Sequence, residues 1–235
     1  MTAAAIILGR AGSKGVPRKN LASIAGKPCV QWTIEHALAS SRIEQVIVSS
    51  DSSELLELAS SLGAIPCVRP EELASDSARV DDAARHAASR HAAEYYAILY
   101  ANVPVRPEDL SDRAIDLLTT SGCDSVQSYA RVGKHHPWWT CRINDDGAVT
   151  PWEGERLFNG VFRRQDLPPA FVPDGGVMAL TADSLASGAG GGPHDFLGSE
   201  RRGIETAEGD VVDIDTPLDL IVADAVLRER VGADR

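Results

Sequence analysis

The chain has 235 residues, 43% hydrophobic and 24% charged, with a formal net charge of −11. This composition is ordinary for a soluble globular protein, and the length suits one large α/β domain or a domain carrying an arm. The acidic balance argues against nonspecific nucleic-acid binding, which needs a basic surface. No apolar stretch reaches membrane-spanning length, and the N-terminus lacks a charged n-region. Cys29, Cys67, Cys123 and Cys141 are far apart and form no CxxC. They fit a reduced cytoplasm better than a disulfide framework or a zinc site.

The first element is a short apolar run, residues 3–8, predicted as a buried strand. It breaks into a loop carrying Arg10, Lys14, Arg18 and Lys19, with Gly9, Gly12, Gly15 and Pro17 between them. Glycines let backbone approach a ligand and aim successive N–H groups at it. Four cations at a strand end, in an acidic chain, point to a polyanion such as a phosphate ester. The spacing is not that of a Walker A loop or of G-x-G-x-x-G.

A helix is predicted over residues 30–39, with Val30, Ile34, Ala37 and Leu38 on one face. A second strand covers 46–50. Asp51 is the predicted N-cap of the next helix, with Glu54 at the capping-box position and Gly63 at its end. Residues 65–68 form a third strand. This βαβαβ order predicts a parallel sheet flanked by helices, with ligands beyond the carboxyl ends of the strands. A link from Arg69 to Ser77 leads to a helix over 79–93, a strand over 95–100, a Pro-rich turn, a helix over 109–120 and a strand over 125–130.

Composition then shifts. Residues 131–172 hold three of the four Trp and three of the four Phe. The segment reads as an arm inserted between two parts of the sheet domain, residues 1–130 and 173–235. Aromatics gathered in an arm find burial against a partner subunit or against their own domain. Residues 175–180 resume the sheet. Residues 211–217 read as a strand end entering a helix, capped by Asp215 or Thr216, with Leu218, Ile221, Val222 and Ala225 on its inner face.

Asp213 and Asp215 are spaced i, i+2, so on a strand both carboxylates share one face. Such a pair is costly unless a cation joins it, and Mg²⁺ is bound by one or two carboxylates plus substrate phosphates. A capping Asp215 beside a solvated Asp213 is the plainer alternative.

Four stretches in order, Arg10–Asn20, Val48-Ser49-Ser50-Asp51, Arg69–Asp76 and Asp213–Leu220, resemble the signature motifs of the acylneuraminate cytidylyltransferases, the CMP-sialic acid synthetases. The resemblance covers about residues 4–227. It implies a Rossmann-like nucleotidyltransferase α/β fold, mostly parallel and three-layered, with an inserted dimerisation arm. It also implies transfer of CMP from CTP to the anomeric hydroxyl of a nonulosonic acid, with release of pyrophosphate. Arg10, Ser13, Lys14 and Lys19 would hold the triphosphate. Asn20, Arg69, Asp76 and Ser77 would hold cytidine. Asp213 and Asp215 would hold Mg²⁺ or Mn²⁺, and Arg10, Lys14 and Lys19 would join them in catalysis.

On the sugar side the resemblance implies Tyr100, Lys134, Arg164 and Asp174, with the arm forming a homodimer. Arg163 is a further cation for the sugar's carboxylate, whereas His135 and His136 pack or bond locally. Two departures fall here. The family's Leu-Gln-Pro-Thr-Ser-Pro-Leu-Arg is Leu99–Arg106 in this chain, with Tyr100, Asn102 and Val103 at the altered places. Its Pro-Asn-Gly is Pro173-Asp174-Gly175. An added carboxylate predicts an acceptor related to sialic acid, such as legionaminic or pseudaminic acid. The alternatives are another 2-keto sugar acid of the 3-deoxy-octulosonate type, and an inactive nucleotide-binding regulator.

Overall fold

The computed structural model describes residues 2–12, 15–187 and 191–233. Eleven strands and six α-helices follow one another among these residues: β1 (Ala3–Leu8), β2 (Ser23–Ile24), β3 (Lys27–Pro28), α1 (Cys29–Ala39), β4 (Gln45–Ser50), α2 (Ser53–Ser61) and β5 (Ile65–Val68) come first. Then come α3 (Val80–Ala88), β6 (Tyr95–Tyr100), α4 (Leu110–Ser121), β7 (Ser125–Arg131), β8 (Cys141–Ile143) and β9 (Val149–Pro151). The chain closes with β10 (Phe171–Thr181), α5 (Ala182–Ser187), β11 (Arg201–Thr206) and α6 (Pro217–Ala233).

Seven strands form one sheet in the order β11-β7-β10-β6-β1-β4-β5. All pairings are parallel except those of β10, which runs antiparallel to both β6 and β7. β1 is an interior strand, with Ile6 opposite Ile47 on one side and Ile98 on the other. All six of its residues are buried, as a parallel strand covered on both faces requires. Ala3, Ala5 and Ile7 pack with Ile34 of α1, Leu55 of α2 and Ile115 of α4. Ala4, Ile6 and Leu8 pack with Ala83 and Ala84 of α3, Leu185 of α5 and Phe196. The period of two thus divides one strand between two helical layers, and the fold is the three-layer, Rossmann-like sheet that the sequence predicts. α6 builds a smaller core with Val16, Ile24, Val105 and Ile214.

Several elements differ from expectation. The cap of α2 is Ser52, whose Oγ accepts from the Leu55 amide at 3.3 Å. Asp51 instead accepts from the Ala11 amide at 2.8 Å, and Glu54 pairs with Arg18. α3 ends at Ala88, because the Tyr96 hydroxyl donates to the His91 carbonyl and accepts from the Ala93 amide, which turns the chain toward β6. β10 begins at Phe171 and carries a register shift between Pro173 and Met178. Residues 211–215 form no strand. They make one antiparallel bridge, Val212 to Val105, and the Ile214 amide donates to the Asn102 carbonyl at 2.9 Å. The helix that follows is capped by Thr216, which exchanges hydrogen bonds with Asp219. Its inner face is Leu220, Ala223, Val226 and Leu227. Leu218, Ile221 and Val222 face outward.

Between β7 and β10 lies the aromatic segment, which holds the β8–β9 hairpin as a separate two-stranded sheet. Gly147, at φ +82°, makes its turn. Phe162 is 82% exposed and Ile143 72%, with Trp152, Phe158 and Phe171 about half exposed. Buried His136 bonds locally, its Nε2 at 3.1 Å from the Pro168 carbonyl and its Nδ1 accepting from the Trp138 amide.

Candidate active site

The loop after β1 is held at the carboxyl end of the sheet. The Gly9 amide donates to the Ser49 carbonyl at 3.2 Å, and the Ala101 amide to the Leu8 carbonyl at 3.0 Å. Gly15 lies so close to the Asp215 carbonyl oxygen that any Cβ would overlap it. That close approach is the physical need for glycine there.

Among the described residues, two neighbouring clefts on this end share part of their lining. One, about 250 Å³, is lined by Arg10, Lys19, Asn20, Arg69 and Asp76. The other, about 830 Å³, is lined by Gln127, Tyr129, Asp174, His194, Arg201 and Asp213. Tyr100, at the end of β6, borders both.

The smaller cleft gathers positive charge. Arg10 pairs with Asp76 at its rim. Lys19 donates to Asp215 at 2.9 Å and to the Ile214 carbonyl at 3.0 Å. Arg69 is buried and braced by Ser49, through its hydroxyl at 3.0 Å and its carbonyl at 2.6 Å. Burial presses the Arg69 pKa downward and Asp51 opposes the shift. Asn20 is buried, donates to the Arg10 carbonyl at 2.9 Å, and has no partner for its Oδ1 among the described residues. A buried acceptor with no partner, beside an open cleft, is equipped to receive an N–H donor. Arg18 turns away to Glu54. Ser77 is exposed and lies 3.3 Å from the Ser75 hydroxyl, outside both clefts. Ser13 and Lys14 lie outside the described residues.

Asp213 and Asp215 are not related by a strand face. Asp213 receives the Asn102 side-chain amide and borders the larger cleft. Asp215 is exposed and pairs with Lys19. Burial, and then the charge of Asp215, raises the Asp213 pKa to about 6. Two hard carboxylate ligands that repel each other, with Lys19 offsetting part of that repulsion, suit Mg²⁺. No cluster of three or more metal-binding side chains occurs among the described residues, so the other ligands would come from phosphate and water.

On the sugar side the structure brings Tyr100 and Asp174 to the larger cleft but leaves Lys134 and Arg164 outside it. Arg164 packs on Gly133 and pairs with Glu208 at 2.7 Å, in a separate cleft beside Arg131 and Thr206. Asp174 accepts from the Ser128 hydroxyl, from the Gly176 amide at 2.9 Å and from the Thr206 hydroxyl at 2.6 Å. That fills three of the carboxylate's roughly four acceptor positions. Burial, and then Asp213, raises the Tyr100 pKa, so its hydroxyl keeps its proton at neutral pH. Asn102, which holds Asp213, stands out in the sequence only as one of the altered places in Leu99–Arg106; its partner is 111 residues away.

A mostly parallel sheet with a cation-bearing loop and two clefts beyond the carboxyl ends of its strands is an α/β fold of the nucleotide-binding kind. A family model described as cytidylyltransferase matches residues 4–137. The chain belongs to the cytidylyltransferase family. It is 27% identical over 219 residues to an N-acylneuraminate cytidylyltransferase of Streptococcus agalactiae, covering 92% of this chain and 51% of that one. This chain thus spans about half the length of those streptococcal relatives. It is 27% identical over 230 residues to the CMP-N,N'-diacetyllegionaminic acid synthase of Legionella pneumophila, covering 95% of both. The solved CMP:2-keto-3-deoxy-manno-octonic acid synthetase complexed with CTP shares the fold, with a TM-score of 0.74, 18% identity and cover of 98% of this chain and 100% of that one.

Proposed function

We propose that this chain transfers CMP from CTP to the anomeric hydroxyl of a nonulosonic acid and releases pyrophosphate. The observation that carries the reading is the meeting of two clefts at Tyr100, one rich in cations and the other bordered by Asp213. Arg10 and Lys19, with Ser13 and Lys14 of the same loop, bind the triphosphate. Asn20 accepts from the cytosine amine, supported by an Oδ1 with no partner among the described residues, and Arg69 and Asp76, which line the same cleft, border the nucleoside.

The anomeric oxygen attacks the α-phosphorus as the bond to the pyrophosphate oxygen breaks. The hydroxyl proton passes to a carboxylate at the acceptor cleft, which Asp213 borders, and from there to solvent. Charge gathers on the leaving pyrophosphate, where preorganised cations act most strongly. Asp213 and Asp215 would hold Mg²⁺ or Mn²⁺, which supplies further charge neutralisation there when bound. Lys19 must exchange Asp215 for phosphate during binding.

The acceptor is a relative of sialic acid, of the legionaminic or pseudaminic kind. The full-length match to the Legionella synthase supports this. Product formation read by phosphorus NMR, with a panel of nonulosonic acids, tests it; N-acetylneuraminate as clearly the best acceptor would overturn this part.

The exposed aromatics of the segment between β7 and β10 support a dimerisation arm and a homodimer. Sedimentation as a single 25.0 kDa chain would contradict it. Lys134 and Arg164, absent from this chain's own acceptor cleft, would serve the sugar only across such a dimer. Free thiols at Cys29, Cys67, Cys123 and Cys141 support a reducing, cytoplasmic setting.

A further inference from the structure

Four residues line both clefts: Ala78, Arg79, Val80 and Tyr100. Arg79 is the cation among them. The chemistry of a 2-keto sugar acid makes this seam decisive. Its carboxylate is bonded directly to the anomeric carbon, so it stays one bond from the carbon whose hydroxyl must reach the α-phosphorus. A group that meets this carboxylate therefore stands at the seam, not in the depth of the acceptor cleft.

Arg79 is held there firmly. Its Nε and Nη2 donate to the two oxygens of Asp81 at 2.9 and 2.7 Å. Its Nη1 and Nη2 donate to the carbonyls of Gly191 and Gly192 at 2.6 and 2.7 Å. Asp81 is buried and is also bonded by Arg85 at 2.6 Å, so the orienting carboxylate is itself anchored. A guanidinium has five N–H donors in a fixed fork. Four are engaged, which leaves one Nη1 hydrogen without a partner among the described residues. The side chain is 32% exposed, so this donor is open to the clefts while the rest of the group is fixed.

We infer that Arg79 is an acceptor-binding residue whose remaining N–H meets the carboxylate of the 2-keto sugar acid at the seam, with Asp81 as its positioning residue. This rests on the proposed transfer to a nonulosonic acid. It assigns the carboxylate to a cation of the same chain, where the arm residues Lys134 and Arg164 border neither cleft. Lysine does not replace arginine here, because an ammonium cannot hold Asp81 with two donors and still present a third in a fixed direction.

Arg79 also clamps the glycine segment, so loss of activity alone does not test the inference. The test compares one acceptor as the free acid and as its methyl ester, with CTP saturating, in the wild type and in Arg79→Ala, Arg79→Lys, Asp81→Asn and Arg164→Ala. The wild type is expected to prefer the acid at least tenfold in kcat/KM. Arg79→Ala is expected to bring that preference to within about twofold of unity, since a charge-assisted contact is lost. Its acceptor KM rises tenfold or more while CTP affinity, measured by calorimetry, changes less than twofold. Arg79→Lys and Asp81→Asn fall between. A preference that survives Arg79→Ala, or one that collapses in Arg164→Ala instead, overturns the inference. A wild type that binds CTP but turns over no nonulosonic acid overturns the functional reading itself, and the inference with it.

Discussion

Lys19 and Asp215 form a 2.9 Å ion pair across 196 residues of sequence. The pair ties the loop after β1 to the entrance of α6, and a second bond from Lys19 to the Ile214 carbonyl fixes the direction of the ammonium. Two of the cations proposed to bind the triphosphate are thus paired with the protein's own carboxylates, Lys19 with Asp215 and Arg10 with Asp76. On the proposed function, substrate binding would replace one anion by another at Arg10 and Lys19.

Lys19→Met removes the charge and keeps the stem. It is expected to lower kcat about 10²–10³-fold, the usual cost of one preorganised donor to developing charge. Asp215 is 70% exposed, and exposed pairs contribute little to stability. The melting temperature should therefore fall by less than about 4 °C. Pyrophosphate release and a thermal melt of the same sample check both statements.

Gly15→Ala places a methyl group on the Asp215 carbonyl oxygen. The loop must shift, which moves phosphate ligands by an ångström or so, and misplacement on that scale costs about 10²-fold in rate. Activity should fall while the core, built on other residues, keeps its melting temperature. Equal loss of both would place Gly15 in the fold alone.

Asp213→Asn removes one of the two acids proposed to hold the metal. The Mg²⁺ concentration for half-maximal activity should rise at least tenfold. CTP binding measured in the presence of EDTA should stay within about twofold of the wild type, because Arg10, Lys19 and Asn20 are untouched. Unchanged metal dependence would remove Asp213 from the metal site.

His36 supplies a pH prediction outside the site. Burial, and then Arg106, lowers its pKa from 6.5 to about 3, and its Nε2 lies 2.8 Å from the Ser111 hydroxyl. The folded chain keeps this imidazole neutral while the unfolded chain protonates it below about 6.5. The unfolded state therefore binds the extra proton, and stability is complete above pH 6.5 and lost as the pH falls toward 3, by up to about 1.4 kcal/mol per pH unit. Denaturant titrations from pH 7 to 4 should show a shallower acid limb for His36→Gln than for the wild type. Identical slopes would contradict it.

What the sequence made legible follows from locality. The run Ala3–Leu8 is apolar throughout and every residue is buried. By contrast, Arg201–Thr206 is an edge strand in which only Ile204 and Thr206 are buried, so it has no hydrophobic signature and was not anticipated. α6 carries apolar residues on both sides, and the choice between faces was settled by contacts with Val16 and Ile24 far away in the chain. Asp213 and Asp215 were legible as a motif. Their geometry was not, because it depends on Asn102 and Lys19 and on a single bridge to Val105. Arg79 reads in sequence as one charge at a helix start; its position at the seam is a property of the folded chain.

The measurement that bears most directly on the account is pyrophosphate release with Mg²⁺ and each of CTP, UTP, GTP and ATP, against several nonulosonic acids. The account predicts release with CTP alone, and only when a nonulosonic acid is present. Equal release with another nucleotide, or CTP binding without release for any acid in the panel, would contradict it.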